Sequence, residues 1–224
     1  MATVVVTGAD SGIGAALART YHARGDHVVA ACLGTGEDHA GSGIEAVAGV
    51  DVTDAASFAS LLSHLGDNPV NTLVCNAGIF RRDAMGEFDF EGMLEQYNVN
   101  SLGPLRAVQA LHHLMPPGAR IGIVTSRVGS IADNSSGGLY GYRMSKCAAN
   151  MLGMNLYHEG KPKGIAVMLL HPGQVISGMT RGMSNLEGFV QPEQAAAGLI
   201  EQLDRLTDTT PPEFRHADGT LLPW

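Results

Sequence analysis

The 224 residues fit a single domain, because compact domains run to about 100–200 residues and a second would find little room. Acidic residues outnumber basic ones by 22 to 14, and the net charge of −8 repels phosphate polymers, arguing against nucleic acid or an anionic membrane as partner. A hydrophobic share of 45% against 16% charged excludes a disordered chain. In chain order, the first apolar run is Thr3–Thr7, followed by Ile13, Leu17 and Tyr21 at helical four-residue steps. A second run, His27–Ala31, leads into Leu33–Glu45, so rich in Gly and polar residues that a loop is predicted where a helix would be expected. Next come the run Ala46–Val50, helical spacing at Leu61 and Leu65, and the run Thr72–Cys75. Leu94, Leu105, Val108, Leu111 and Leu114 predict a helix over Glu91–Met115; the run Ile121–Thr125 and a helix over Met144–Tyr157 follow. The run Ile165–Leu170 and a helix over Pro192–Leu206 complete the series. Continuous rather than alternating apolar runs suit strands covered on both faces, as in parallel sheets. Strand alternating with helix predicts an α/β fold: one doubly wound Rossmann-type parallel sheet of about seven strands, helices on both faces, spanning residues 1–224.

Cys32, Cys75 and Cys147 lie far apart with no CxxC spacing, which predicts free thiols in a reducing compartment. No apolar run approaches the roughly 20 residues that cross a bilayer, and the N-terminus has no signal-peptide pattern, so a cytoplasmic location is expected. His112-His113 could suggest a metal, but adjacent helical residues point about 100° apart and no third ligand is evident. They read as surface or interface residues, with no metal expected.

The first strand runs directly into Gly8-Ala9-Asp10-Ser11-Gly12-Ile13-Gly14, and a helical pattern follows. Glycines let the backbone turn tightly against a pyrophosphate, and the free N–H groups of the helix N-terminus receive its charge. The bland alternative is a ligand-free glycine-rich turn. With this GxxxGxG spacing after a strand, the sequence resembles the short-chain dehydrogenase/reductase family, whose opening motif is TGxxxGxG. The resemblance implies a cofactor site at Gly8, Asp10, Ser11, Gly12, Ile13 and Gly14. Further matches follow in the family's order. Asp51 and Val52 close the third strand, where relatives hold the adenine. Asn76-Ala77-Gly78 matches the motif that shapes the cofactor floor, and Asn100, in NVNSLG, matches the asparagine that holds a proton-relay water. Singly, Asp51 could be a helix-capping acid and Asn76-Ala77-Gly78 an ordinary turn. His171-Pro172-Gly173 matches the family's PG turn, with Val175 and Ser177 placed to hold the nicotinamide amide. Ser177 stands where relatives carry a threonine, a departure that keeps the hydroxyl.

Ser126, Tyr142 and Lys146 form the decisive set. Residues four apart on a helix share a face, so Tyr142 and Lys146 enter one cleft. A phenol titrates near pH 10 or so, and a fixed neighbouring cation is expected to lower that value. Tyr142 then exchanges a proton at the substrate oxygen while Ser126 hydrogen-bonds the charge that develops there. Chance predicts roughly 0.07 Tyr-x-x-x-Lys spacings here. The chain has two, but Gly160 and Pro162 end the helix around Tyr157 and Lys161, which read as a helix terminus with a solvated lysine. The alternative for Tyr142 is a surface ring stacked on a lysine stem. The stretch Val124–Asn150, with the ending DGTLLPW, resembles the C-factor (C-signal)-like subgroup.

The resemblance implies an NAD(P)-dependent oxidoreductase interconverting a secondary alcohol and a carbonyl. The alternative is a C-factor-like signalling or regulatory nucleotide-binding protein. Cofactor choice is read at the end of the second strand, where Cys32-Leu33-Gly34 offers neither acid nor arginine. Ser11 stands where NADP-preferring relatives often carry a cation, and Glu37 and Asp38 oppose an extra phosphate, so NAD is expected over NADP. Ile176–Phe189, with Met179, Met183, Leu186 and Phe189, is the expected substrate segment, part of a small substrate loop over about 176–190. Arg81, Arg82, Arg127 and Arg143 lie near its mouth and could hold an anionic substrate, or simply brace loops. From the resemblance, Glu91–Met115 and Tyr140–Tyr157 pair between subunits of a homodimer or homotetramer. Ala148, Ala149 and Gly153 are expected to allow close packing there.

Overall fold

The structure is a computed structural model, and it describes residues 1–181 and 184–224. Seven parallel strands form one sheet: β1 Thr3–Thr7, β2 His27–Ala31, β3 Glu45–Val47, β4 Thr72–Cys75, β5 Arg120–Val124, β6 Ala166–His171 and β7 Phe214–His216. Their spatial order is β3-β2-β1-β4-β5-β6-β7, with Val5 of β1 paired to Val29 of β2 and Leu73 of β4. The helices are α1 Gly12–Ala23, α2 Phe58–Leu65, α3 Phe90–Tyr97, α4 Gly103–Leu111, α5 Tyr140–Gly160 and α6 Pro192–Asp204.

Alternate strand residues feed two separate cores, which is why the runs are apolar throughout. Val4 and Val6 pack with Leu17 and Tyr21 of α1 and Leu199 and Leu203 of α6. Val5 packs on the opposite face with Phe58 and Leu61 of α2, Leu111 of α4 and Ala149 of α5. Side chains that are almost wholly excluded from water on both faces each stabilise the fold by about 1.5–3 kcal/mol before chain entropy is subtracted. The chain turns one way from β1 to β2 and the other from β1 to β4. The crevice between the carboxyl ends of β1 and β4 is therefore the place where such sheets take ligands.

Most of the expected elements are present, with local differences. The third strand is shorter than Ala46–Val50: it ends at Val47, and Val50 is buried just beyond it. The Leu33–Glu45 crossover holds only a single 3-10 turn, Glu37–His39, consistent with a loop. The single helix expected over Glu91–Met115 is interrupted at Asn98–Leu102, where the backbone widens to a π-helical turn between α3 and α4. Among the described residues, no helix is long and apolar enough to cross a membrane.

Candidate active site

A cavity of about 560 Å³ opens at the β1/β4 switch point and reaches from the glycine-rich turn to Tyr142 and Lys146. Its size falls within the range of small-molecule and cofactor sites. Gly8, Asp10, Ser11, Gly12 and Ile13 line one end with Leu33, while Asp51 and Val52 close the adjoining wall. Asn76, Ala77 and Gly78 form the floor, and Pro172 and Ser177 the far side. Gly14, Asn100, Ser126, Gly173 and Val175 lie close to lining residues in the chain but are not part of the lining itself.

The glycines are required by contact as well as by conformation. A Cβ on Gly14 would sit 2.1 Å from the Gly8 carbonyl oxygen, and one on Gly8, where φ is +64°, 2.7 Å from Ala77 Cα. The turn is thus pressed against the floor. Thr7 Oγ1 accepts the Asn76 N–H at 3.1 Å, and Asn76 Nδ2 donates to the carbonyls of Thr7 and Gly8 at 3.2 and 3.1 Å. The Asn76 side chain shapes the floor and leaves ligand contact to the backbone. Ser11 precedes α1 with no side-chain cap, so the first helical N–H groups face the cavity free of side-chain acceptors. Buried His39 braces the turn from below, its Nε2 lying 2.8 Å from the Ala9 carbonyl oxygen. Nothing in the Gly-rich crossover marked His39 for that task.

Asp10 and Asp51 use their carboxylates within the protein. Asp10 accepts the Leu33 and Gly34 N–H groups at 2.9 and 2.7 Å, tying the turn to the end of β2. Asp51 accepts the Thr53 N–H and hydroxyl at 2.8 and 2.7 Å. These acids, the glycine cradle and the exposed helix N-terminus fit a dinucleotide whose phosphates meet backbone N–H groups and whose hydroxyls meet carboxylates.

At the other end, Tyr142 lies in the first turn of α5 and Lys146 one turn on, with the Lys146 Nζ 5.7 Å from the Tyr142 ring centroid. The second pair, Lys161 over Tyr157, has the same 5.7 Å separation, so stacking does not tell the two apart. Surroundings do: Lys146 is buried in the cavity wall, whereas Lys161 is exposed at the helix end. Lys146 Nζ donates to the Val124 carbonyl at 3.0 Å, and burial lowers its pKa to about 8. Burial pushes the Tyr142 phenol up to about 12, opposed by the hydrogen-bonding Ser126 hydroxyl. The expected lowering of the phenol is therefore corrected: in the protein alone burial raises it, and the opposing influence is the Ser126 hydrogen bond rather than Lys146. Phe80 packs edge-on against Tyr142, with ring centroids 5.0 Å apart.

Asn100 sits in the π-helical turn. Its Nδ2 donates to the Ile79 carbonyl and to Ser145 Oγ at 2.9 and 3.0 Å, and its Oδ1 accepts the Ile79 N–H at 2.8 Å. Both amide hydrogens are spent, so the side chain locks the β4 loop to α5. Asp83 is a further positioning residue that the sequence did not mark: its carboxylate accepts the Tyr140 and Gly141 N–H groups at the start of α5. On the far side, the Ser177 N–H donates to Thr180 Oγ1 at 2.9 Å, closing a turn that contains Gly178 and Met179. Val175 pairs with Val190, and its carbonyl accepts the Thr180 hydroxyl at 3.1 Å. Met179 lines the cavity, Leu186 is exposed, Phe189 is half-buried, and Met183 lies outside the described residues.

The four arginines differ in their engagement. Arg81 pairs with Glu95 and Arg127 with Asp133; Arg143 donates to the carbonyls of Gly137, Gly138 and Val128. Arg82 lies over the Phe80 ring, 5.6 Å from its centroid. The expectation that Ala149 and Gly153 face a partner subunit is also corrected. Ala149 belongs to the chain's own core, and a Cβ on Gly153 would meet Leu169 Cδ2 at 2.6 Å, so both pack on this sheet. Among the described residues no cluster of three or more His, Cys, Asp or Glu could hold a metal, and Cys32, Cys75 and Cys147 are free thiols.

A family model described as short chain dehydrogenase matches residues 2–187. The chain is 46% identical to the 1-hydroxy-2-glutathionyl-2-methyl-3-butene dehydrogenase of Rhodococcus sp. (strain AD45), over all of both chains. It is 35% identical to the C-signal protein of Myxococcus xanthus over 70% of this chain and 93% of that one. Among solved structures, the NADPH-bound carbonyl reductase from chicken fatty liver superposes with a TM-score of 0.88 at 27% identity, covering 99% of this chain and 98% of that one. A carbonyl reductase from Pseudomonas aeruginosa PAO1 in complex with NADP gives 0.86 at 26% identity, with full coverage of both.

Proposed function

The chain belongs to the short-chain dehydrogenase family and is an NAD(P)-dependent oxidoreductase, and from that premise we propose that Ser126, Tyr142 and Lys146 interconvert a secondary alcohol and its carbonyl. The observation that carries the proposal is one continuous cavity joining the glycine-rich turn to Tyr142 and Lys146. The backbone of Gly8–Gly14 would hold the pyrophosphate, Asp51 and Val52 the adenine, and Val175 and Ser177 the nicotinamide amide. When bound, the nicotinamide dinucleotide supplies the acceptor or donor of hydride. Tyr142 transfers the proton at the substrate oxygen, and Ser126, whose hydroxyl reaches the phenol, holds that oxygen as charge gathers on it. Lys146 keeps an ammonium beside the ring while Val124 fixes its direction. Asn100 and Asp83 position α5. With the phenol pushed up to about 12, the protein alone keeps Tyr142 protonated at neutral pH. That is the form that gives a proton to a carbonyl oxygen.

The residues also favour NAD. Leu33 stands where a discriminating acid or cation would be, Ser11 brings no charge, and Lys146 at the opposite end is the one lysine or arginine in the cavity lining among the described residues. The cofactor-bound relatives above carry NADP or NADPH, which makes the preference a point for measurement. The Rhodococcus relative favours a second substrate class, a 1-hydroxy compound bearing a glutathionyl group. Arg82, which has no ion pair or side-chain hydrogen bond among the described residues and lies over the Phe80 ring that packs on Tyr142, would meet the carboxylates of such a group. Exposed Leu94, Met144 and Met151 on α3 and α5 support a homodimer across these helices, and a monomer in sedimentation equilibrium would remove it.

The test is a panel of secondary alcohols, their ketones and 1-hydroxy glutathione thioethers, assayed with NAD and NADP by nicotinamide absorbance. Turnover of at least one class with NAD preferred is expected. Binding of either dinucleotide with no turnover of any class would favour a regulatory role instead.

A further inference from the structure

At the end of β2 the sequence offers no charged side chain, because Leu33 is apolar and 63% exposed. The structure fills that place from the other side. Asp10 reaches across from the glycine-rich turn, and its two carboxylate oxygens divide between two successive backbone amides. Oδ2 accepts the Leu33 N–H at 2.9 Å, and Oδ1 accepts the Gly34 N–H at 2.7 Å. Successive N–H groups of this kind form a concavity suited to an anion. Here a carboxylate of the chain itself occupies it.

We infer that Asp10 selects the unphosphorylated ribose, standing in for the missing acid at the end of β2 and excluding a 2′-phosphate. The inference rests on the proposed preference for NAD. Two effects act together. A carboxylate has about four lone-pair positions, and the two amides take only one on each oxygen, leaving acceptors for ribose hydroxyls at the cavity wall that Asp10 lines. The amides that would otherwise greet a phosphate are already satisfied, and the fixed negative charge repels it. Asp10 acts at this spot together with Asp38: after burial, these two acids help raise the Cys32 thiol to about 11. No lysine or arginine lines this end of the cavity among the described residues, so the repulsion goes uncompensated.

The test is calorimetric measurement of the dissociation constants of NAD and NADP for the wild type, Asp10→Asn and Asp10→Ser, without substrate. The wild type should bind NAD at least about tenfold more tightly than NADP, and both variants should narrow that ratio by about tenfold or more. Asp10→Ser, which frees both amides, should narrow it further than Asp10→Asn, which still offers one acceptor. Should the serine variant fail to fold, the near-isosteric asparagine variant still reports the ratio. A wild type that prefers NAD, with the ratio unmoved in the variants, overturns the role of Asp10 and leaves the NAD reading standing. A wild type that prefers NADP overturns both.

Discussion

Lys146 is a charged side chain buried in the cavity wall, and burying its ammonium carries a cost. The folded-state value near 8 lies below the ordinary 10.5. Below pH 8 the amine is protonated in both folded and unfolded chains, and the burial penalty is present in full, about 3 kcal/mol. Between about 8 and 10.5 the unfolded chain binds more protons, so stability rises with pH across that window. Lys146→Met should therefore be at least as stable as the wild type at pH 7, by up to about 2 kcal/mol after loss of the Val124 hydrogen bond. That advantage should shrink by pH 9.5. Urea unfolding at the two pH values checks it, and an equal destabilisation at both would show that burial of the amine is not costly. The pairing of Tyr142 with Lys146 was legible because two residue types at helical spacing define it. The direction of the phenol's shift was not, since it depends on burial that only the folded chain creates.

At the scale of elements, α5 begins at a residue poorly suited to start a helix. Leu139 has φ of +51°, in the left-handed region, and its side chain has no oxygen to cap the orphan N–H groups. Asp83, far away in sequence, supplies the missing cap at Tyr140 and Gly141. Its negative charge also suits the positive end of the helix. Asp83→Ala should lower stability by about 1–2 kcal/mol in urea unfolding. Because Tyr142 belongs to the loosened turn, kcat should fall more than KM rises, and Asp83→Asn should recover part of it. A change in stability with both kinetic constants intact would confine Asp83 to folding. Local pattern located the body of this helix but not its start, because the cap comes from another loop. The π-helical turn at Asn98–Leu102 escaped for a related reason, since its apolar spacing reads as ordinary helix. Phe214–His216 forms β7 with three residues of mixed character, too short to register as a run, and it is defined by pairing with β6.

In the whole molecule, strand order does the placing. The reversal between β1 and β4 opens one crevice, and residues scattered from Gly8 to Ser177 meet there because their strands end on the same edge. The glycine-rich turn, the β4 floor and the α5 pair were legible, since each is a short pattern tied to a strand end or a helix face. The braces from His39, Asp83 and Ser145 were not, because each joins segments distant in sequence. The Tyr142 hydroxyl carries the proton in a cavity that would bind its dinucleotide independently of that hydroxyl. Tyr142→Phe, assayed for turnover and titrated with NAD in parallel, measures this directly. In that variant kcat/KM should fall by about 10³-fold while the NAD dissociation constant stays within about threefold of the wild type. Turnover within about tenfold of the wild type, with NAD bound equally well, would contradict it.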